Sequence, residues 1–245
     1  MNDARPAGGS APLDVRIARK AFVSSSGEGG DVLRDIAFTL AHGEVGAFVG
    51  PSGCGKTTML RIVAGLDTEF DGAVARPPGA IGMVFQEPRL LPWRTVDDNI
   101  RLIAPHVDEA KLAALFDTLG LATHRAHFPG ELSLGLARRV ALARAFAVEP
   151  RLLVLDEPFT SLDQPLAVRL RDELAMLVDR RPVTTLLVTH DLDEAARLAD
   201  RLFLLSARPA HILAEVPIQQ PRAARGPADI AALKAAIARQ QPTSG

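Results

Sequence analysis

Nine residues, Gly50-Pro51-Ser52-Gly53-Cys54-Gly55-Lys56-Thr57-Thr58, limit what this chain can fold into more than any other stretch. They follow an apolar run, Val45 to Val49, that reads as a buried strand. A helix-like stretch comes next, with Met59, Leu60, Ile62 and Val63 on its apolar side and Gly65 placed to end it. Strand, glycine loop and helix in that order are the setting that a G-x-x-x-x-G-K-[ST] match requires. Glycines let the backbone bend tightly, so that successive N–H groups point inward around an anion. The helix N-terminus adds partial positive charge at the same spot. Lys56 would bring a full charge to the β- and γ-phosphates, and the Thr57 hydroxyl would be a ligand for Mg2+. The bland alternative is an ordinary glycine-rich turn. The flanks favour a nucleoside triphosphate site.

At 245 residues the chain fits one large α/β domain with room for an inserted subdomain. A net charge of -1 and a pI near 6.6 argue against a surface that coats DNA or RNA. The single cysteine, Cys54, excludes an internal disulfide framework and suits a reducing compartment. No apolar run approaches the ~18–20 residues needed to cross a bilayer. The N-terminus lacks a basic-then-apolar pattern, so no export is expected. The expectation is a cytosolic protein that reaches a membrane only through a partner.

Residues 1–12, rich in Ala, Gly, Pro and Ser, read as a disordered leader. Leu13–Phe22 and Val32–Leu40 alternate well enough to be strands, joined by a flexible hairpin loop over Ser24–Gly30. Asp67–Gly79 is turn-rich, and Ile81–Phe85 is a short buried strand ending at Gln86. From about 87 to 148, Leu- and Ala-rich helical segments broken by Pro88, Pro92, Pro105 and Pro129 suggest a helical insertion. The α/β pattern then resumes: strand Leu152–Leu155, a helix from about Pro165 to Asp179, strand Thr184–Thr189, helix Leu192–Ala199 and strand Leu202–Leu205. Such alternation indicates a mostly parallel sheet covered on both faces. Pro209–Pro227 reads as loosely structured and Ala228–Arg239 as a short terminal helix.

Further chemistry sits at strand ends. Leu152-Leu153-Val154-Leu155-Asp156-Glu157 is an apolar strand that finishes in two acids. In a parallel sheet, strand C-termini gather along one edge, beside the phosphate loop. Asp156 would hold Mg2+, directly or through water, and Glu157 would accept a proton from an attacking water; the alternative is two acids capping the next helix. His190, after the following strand, would bond the γ-phosphate and orient the water, although a lone strand-end histidine is commonly just a surface residue. Gln86 is placed to reach the metal or the water and carries little information by itself.

With these residues in view, the chain resembles the ATP-binding subunit of an ABC transporter, over nearly its whole length up to about Ser206. The matching stretches are GPSGCGKTT (Walker A), VFQE at Gln86 (Q-loop), ELSLGLARRVALARA (signature region), LLVLDEP (Walker B), SLD at Ser161–Asp163 (D-loop) and VTHD at His190 (switch histidine). PRLLPWRTVDDNI and THDLDEAARLADR further resemble the nitrate/sulfonate/taurine importer branch. The resemblance implies a P-loop NTPase (RecA-like) fold, with an N-terminal antiparallel β region and an inserted helical subdomain at about 87–148. It implies a nucleotide-binding domain over 13–206 and a C-terminal extension over 207–245.

Also implied is a site completed by two copies arranged head to tail. Ser133 and the backbone of Gly135 would touch the γ-phosphate bound to the partner chain, and Asp163 would couple the two sites. Phe22 matches the aromatic that stacks on adenine; a core aromatic at a strand end is the alternative. ATP and Mg2+ are the implied ligands. A second copy, an integral membrane permease and, indirectly, a solute-binding protein are the implied partners, with no nucleic acid. The implied place is the inner face of the cell membrane.

One departure concerns the signature, usually LSGGQ and here Leu132-Ser133-Leu134-Gly135-Leu136, from which a working but weaker trans contact is expected. Leu90–Trp93 forms an apolar patch that would receive the permease, or else a small local core. His124 and His127 read as a surface pair, Arg138-Arg139 as a solvated helix face or a contact to nearby acids, and the Cys54 thiol as lying near the nucleotide. A soluble ABC-type ATPase working as a mechanical or regulatory module is the other class of function. That class usually carries two fused cassettes or long coiled-coil insertions, and neither is read in this sequence, nor is a basic surface.

Overall fold

The structure is a computed structural model that describes residues 11–23 and 29–238. Most of the expected leader, most of the Ser24–Gly30 loop, and residues 239–245 of the extension lie outside the described residues. Two sheets are stacked. The smaller is antiparallel, with β2 (Gly29–Leu40) and β4 (Asp71–Ala75) on either side of β1 (Leu13–Val23). The larger has the order β5 (Ile81–Val84), β6 (Leu152–Asp156), β7 (Thr184–Thr189), β3 (Val45–Val49), β8 (Arg201–Leu205), β9 (Ile212–Pro217). All its pairs are parallel except β8 with β9. The expected α/β class, with its antiparallel N-terminal region, is what the chain adopts.

β6 and β7 are buried at every position, as central strands covered on both faces are, and the three threonines of β7 bury with their hydroxyls hydrogen-bonded. One face of the large sheet meets the small sheet through Phe38 of β2, Phe48 of β3 and Phe203 of β8, the last two stacked with centroids 4.4 Å apart. Helix α1 (Lys56–Val63) buries Met59, Leu60, Ile62 and Val63 in the same layer. The other face packs against α4 (Leu134–Ala147), α5 (Gln164–Arg180) and α6 (Leu192–Leu198).

Two strands went unforeseen. β4 lies in the stretch expected to be only turns, and its Asp-Gly-Ala-Val-Ala sequence carries little strand signal. Gly72 there has φ +139°, and a Cβ would overlap the carbonyl of Arg16, so only glycine lets β4 approach β1 at the bulge between Ile17 and Arg19. β9 falls within the segment expected to be loose, and so carries the sheet past the boundary placed at 206. Its half-exposed alternation and terminal proline suit an edge strand. Beyond it, Arg222 donates to Leu198 O (2.5 Å) and Arg225 to Ala199 O (2.6 Å), capping α6, while α7 (Pro227–Ala238) lays Ile230 and Ile237 inward.

The insertion is helical as expected: α2 (Val96–Arg101), α3 (Glu109–Thr118), two 3-10 turns and α4. Arg125 and Arg101 each bond both Asp97 and Glu109, tying α2 to α3. Asn99 is fully buried and shapes the turn before α2. Its Oδ1 accepts from Leu91 N (2.8 Å) and its Nδ2 reaches Leu91 O (3.2 Å), Arg94 O (3.1 Å) and Thr95 O (2.9 Å). Arg144 of α4 holds Pro88 O and Arg89 O, each at 2.8 Å. The segment so fixed presents Trp93, 71% exposed, while Leu90 packs on the core.

Candidate functional site

The phosphate-loop geometry follows from its glycines. Gly53 and Gly55 have φ of +76° and +124°, and a Cβ on Gly55 would stand 2.8 Å from Leu33 Cδ2 and 2.9 Å from Val32 Cγ1. α1 starts directly after, with no acidic residue in its first turn and no side-chain cap, so its leading N–H groups are left for an anion. Lys56 is buried and curls back on its own loop, donating to Gly50 O (2.8 Å) and Pro51 O (2.9 Å).

The acids expected beside this loop are beside it. Thr57 Oγ1 donates to Asp156 Oδ1 (3.2 Å), and burial pushes the Asp156 carboxyl above the usual aspartate range. Glu157 stands at φ +45°, its N–H bonded to Val188 O (3.0 Å). That turn brings the carboxylate to the sheet edge. Its Oε2 accepts from Thr160 Oγ1 (3.0 Å) and lies 3.2 Å from His190 Nδ1, while Oε1 is 3.9 Å from Lys56 Nζ. The two acids are therefore not simple helix caps. His190 is half exposed, on a turn fixed from below by Thr189, which donates to the buried Glu194 (2.7 Å) and accepts from Asp191 N (3.0 Å).

A cleft of about 390 Å³ runs from these groups to the rim of the small sheet. Lys56, Thr57, Thr58, Ser52, Gly53, Gly55, Gln86 and Glu157 line it at the loop, and Phe22, Val32 and Arg208 further out. Gln86 also lines a second cavity of about 210 Å³ with Thr57 and Asp156, so it stands between the two. Phe22 is 49% exposed, which removes the core-aromatic alternative. Cys54 requires a correction. Its thiol is buried in the hydrophobic layer under the loop, beside Gly50, and burial pushes its pKa up; it does not line the cleft. The side chain fills the core because the loop's inward-turned groups are backbone.

Three expected residues stay apart from the cleft. Ser133 is the exposed N-cap of α4, accepting from Leu136 N (3.3 Å). Gly135 is buried, and a Cβ there would overlap Leu166 of α5. Leu134 between them is 45% exposed. Asp163 is exposed at the start of α5 with its side chain making no capping bond. Arg139 bonds Glu173 (2.7 Å), but Arg138 is not solvated: it is buried and donates to Pro158 O (3.0 Å) and Thr160 O. His124 and His127 have ring centroids 5.2 Å apart.

Sequence reasoning missed Arg138, Thr160, Asn99 and Arg208. The fully apolar run Val140–Ala143 directly after it was the available signal for Arg138, since a helix turn apolar all round is a buried one and draws its neighbours in with it. For the others no residue pattern stands out: Asn99 bonds backbone groups of its own turn, which any sequence supplies, Thr160 bonds Glu157 within its own turn, and Arg208 reaches carbonyls far away in the chain.

Comparison with known proteins gives one answer. A family profile described as ABC transporter matches residues 33–160. The aliphatic sulfonates import ATP-binding protein SsuB 2 of Pseudomonas syringae pv. tomato is 45% identical over 226 residues, covering 91% of this chain and 95% of that protein. SsuB 2 of Burkholderia cenocepacia is 43% identical over 236 residues, covering 91% and 86%. Among solved structures, an ATP-binding cassette caught as a dimer in a post-hydrolysis state with ADP and Pi superposes with a TM-score of 0.75 at 25% identity, covering 85% of this chain and 100% of that one.

Proposed function

The chain belongs to the ABC transporter family, as an ATP-hydrolysing ATP-binding subunit, and from that premise we propose that it drives uptake of an aliphatic sulfonate or a similar small solute through a membrane permease. The observation that carries the reading is the convergence of Lys56, Thr57 and Glu157 on one cleft, with Asp156 bonded to Thr57 and His190 against Glu157 beside it.

ATP would lie along the cleft, adenine against Phe22 and phosphates in the loop Gly50–Thr58, with Lys56 moving from its own carbonyls to the β- and γ-oxygens. Glu157 Oε2 is occupied by Thr160 and His190, which leaves Oε1, the oxygen nearer Lys56, to accept the proton of the attacking water. A bond forms between that water oxygen and the γ-phosphorus, the bond to the β–γ bridging oxygen breaks, and ADP and phosphate leave. His190 holds Glu157 and faces the γ-phosphate. Thr57, Asp156 and Gln86 offer the hard oxygen donors that Mg2+ prefers, and so would hold it. When bound, that ion would neutralise charge on the phosphate oxygens.

Ser133, Gly135 and Asp163 touch nothing in their own cleft yet stand at the surface or at a helix start, which supports the reading that they serve a second copy. Two ATP molecules would close this head-to-tail dimer, and hydrolysis would let it open. Trp93 and the fixed segment around it form the surface offered to the permease, through which the chain would sit at the inner face of the membrane, indirectly serving a solute-binding protein. We assign residues 13–206 with the insertion at 87–148 to the nucleotide-binding domain, and 207–245 to an extension whose strand β9 joins its sheet.

The test is turnover per chain as a function of concentration, with Glu157→Gln as control. Turnover should fall on dilution, and Glu157→Gln should keep ATP binding while stopping hydrolysis. Constant turnover down to strictly monomeric concentrations, or an active Glu157→Gln protein, would contradict the reading. Co-purification with a polytopic membrane protein tests the permease.

A further inference from the structure

Arg208 stands on the wall of the nucleotide cleft, in the turn joining β8 to β9, and hydrolysis as derived above gives it no task. The turn is held firmly. Ala210 N donates to Val32 O (2.8 Å), Ala210 O accepts from Arg34 N (2.9 Å), and the Ser206 hydroxyl donates to Ala207 O (2.7 Å) while accepting from His211 N (3.0 Å). From this turn the guanidinium reaches β2, where Nε donates to Asp31 O (3.1 Å) and Nη2 to Gly30 O (3.3 Å). Among the described residues no carboxylate pairs with it; the Asp31 carboxylate is taken by Arg19 and Arg34. Nη1 is left without a partner among the described residues.

Strand register tells which end of the cleft this is. Gly30 lies directly across from Phe22 in the β1–β2 pair, so the carbonyl that holds Arg208 belongs to the residue opposite the aromatic. Lys56, Thr57 and Glu157 mark the phosphate end; Phe22 and Arg208 mark the other. Resting on the nucleotide reading above, we propose that Arg208 contacts the purine and ribose of the bound nucleotide, closing on the nucleoside together with Phe22. A guanidinium suits that place. It is planar and weakly hydrated, stacks on a π face, and donates to ring nitrogens and ribose oxygens. A lysine ammonium, compact and strongly hydrated, does not do the same work.

Calorimetric titration of the full chain with a non-hydrolysable ATP analogue and, separately, with inorganic tripolyphosphate tests this. Arg208→Met and Arg208→Lys should each weaken the analogue by about three- to tenfold and leave tripolyphosphate unchanged to within about twofold. Full rescue by Arg208→Lys would assign a mere charge effect, and an equal loss toward tripolyphosphate would assign a phosphate contact. An unaltered Arg208→Met protein would mean no contact. Each of these overturns the proposal. Should the variants fold poorly, the arginine side-chain resonances of the unaltered protein decide: Arg208 should shift with adenosine and not with tripolyphosphate, and the reverse overturns it. A wild-type chain that binds no analogue would sink the nucleotide reading itself, whereas binding that is indifferent to Arg208 sinks only this one.

Discussion

Asn99→Ala tests whether the segment offered to the permease is a built surface. The side chain is 1% exposed and spans the turn from Leu91 to Thr95. Its Nδ2 has two hydrogens for three carbonyls in reach, so it makes at most two of those bonds at once, and Oδ1 adds the bond from Leu91 N. Three bonds are lost at about 1 kcal/mol each, giving roughly 3 kcal/mol. For a chain of this size that is a fall in Tm of about 6–12 °C. Trp93 is the only tryptophan in the chain, so its fluorescence reports on this turn alone. Steady-state anisotropy should drop as the turn loosens, while ATP turnover, set in a cleft that these residues do not line, should remain. Asn99→Asp should fall short of rescue, because a carboxylate accepts from Leu91 N but cannot donate to the carbonyls. A Tm within about 2 °C of wild type, the range of a bland surface change, with unaltered anisotropy would refute the argument.

Cys54 should resist iodoacetamide in the native state, since burial both shields the thiol and raises its pKa, and should react once urea unfolds the chain; rapid native labelling would contradict its placement. Arg138→Met should lower kcat by about ten- to a hundredfold with KM for ATP retained, because Arg138 fixes the turn that carries Glu157 and does not line the cleft; a raised KM with kcat intact would refute this. Leu134→Gly should raise turnover of the assembled dimer by letting backbone approach the partner's phosphates, and turnover that stays level or falls would remove that account. Hydrogen bonds from Arg125 and Arg101 hold the Glu109 carboxyl down to about 2, from an ordinary 4.5. A depressed acid stabilises the fold above its unfolded pKa and loses that contribution as pH falls through the folded one. The Tm gap between wild type and Glu109→Gln should therefore be full at neutral pH, shrink below about 4.5 and be gone below about 2; a gap that widens on acidification would count against the network.

How much of this was legible beforehand divides along a physical line. Leu152–Leu155 announces itself as a continuous apolar strand because burial on both faces favours apolar residues, and Thr184–Thr189 because its β-branched threonines and valine suit a strand and bury once their hydroxyls are bonded. The phosphate loop is legible because backbone geometry demands glycine at fixed intervals. Edge strands do not share that constraint. Asp71–Ala75 and Ile212–Pro217 are held by one neighbour each and tolerate Gly, Ala and Pro. The partners of residues that act on carbonyls remote in sequence, such as those of Arg138 and Arg208, could be found only once the chain was folded. Cys54 shows the converse error: membership in a motif said where its backbone lies, and not which way its side chain points.

The position of β3 between β7 and β8 has a bearing on how the chain is made. Val45, at the foot of the phosphate loop, finds its neighbour at Thr185, and Gly46 its other neighbour at Arg201. A ribosome therefore releases the loop long before either flanking strand has been translated. Until residues near 205 emerge, the loop has no sheet to anchor it and the nascent polypeptide carries a naked apolar strand. Competence to take up nucleotide thus waits until both flanking strands have emerged, so the first part of the engine to be made is among the last to work.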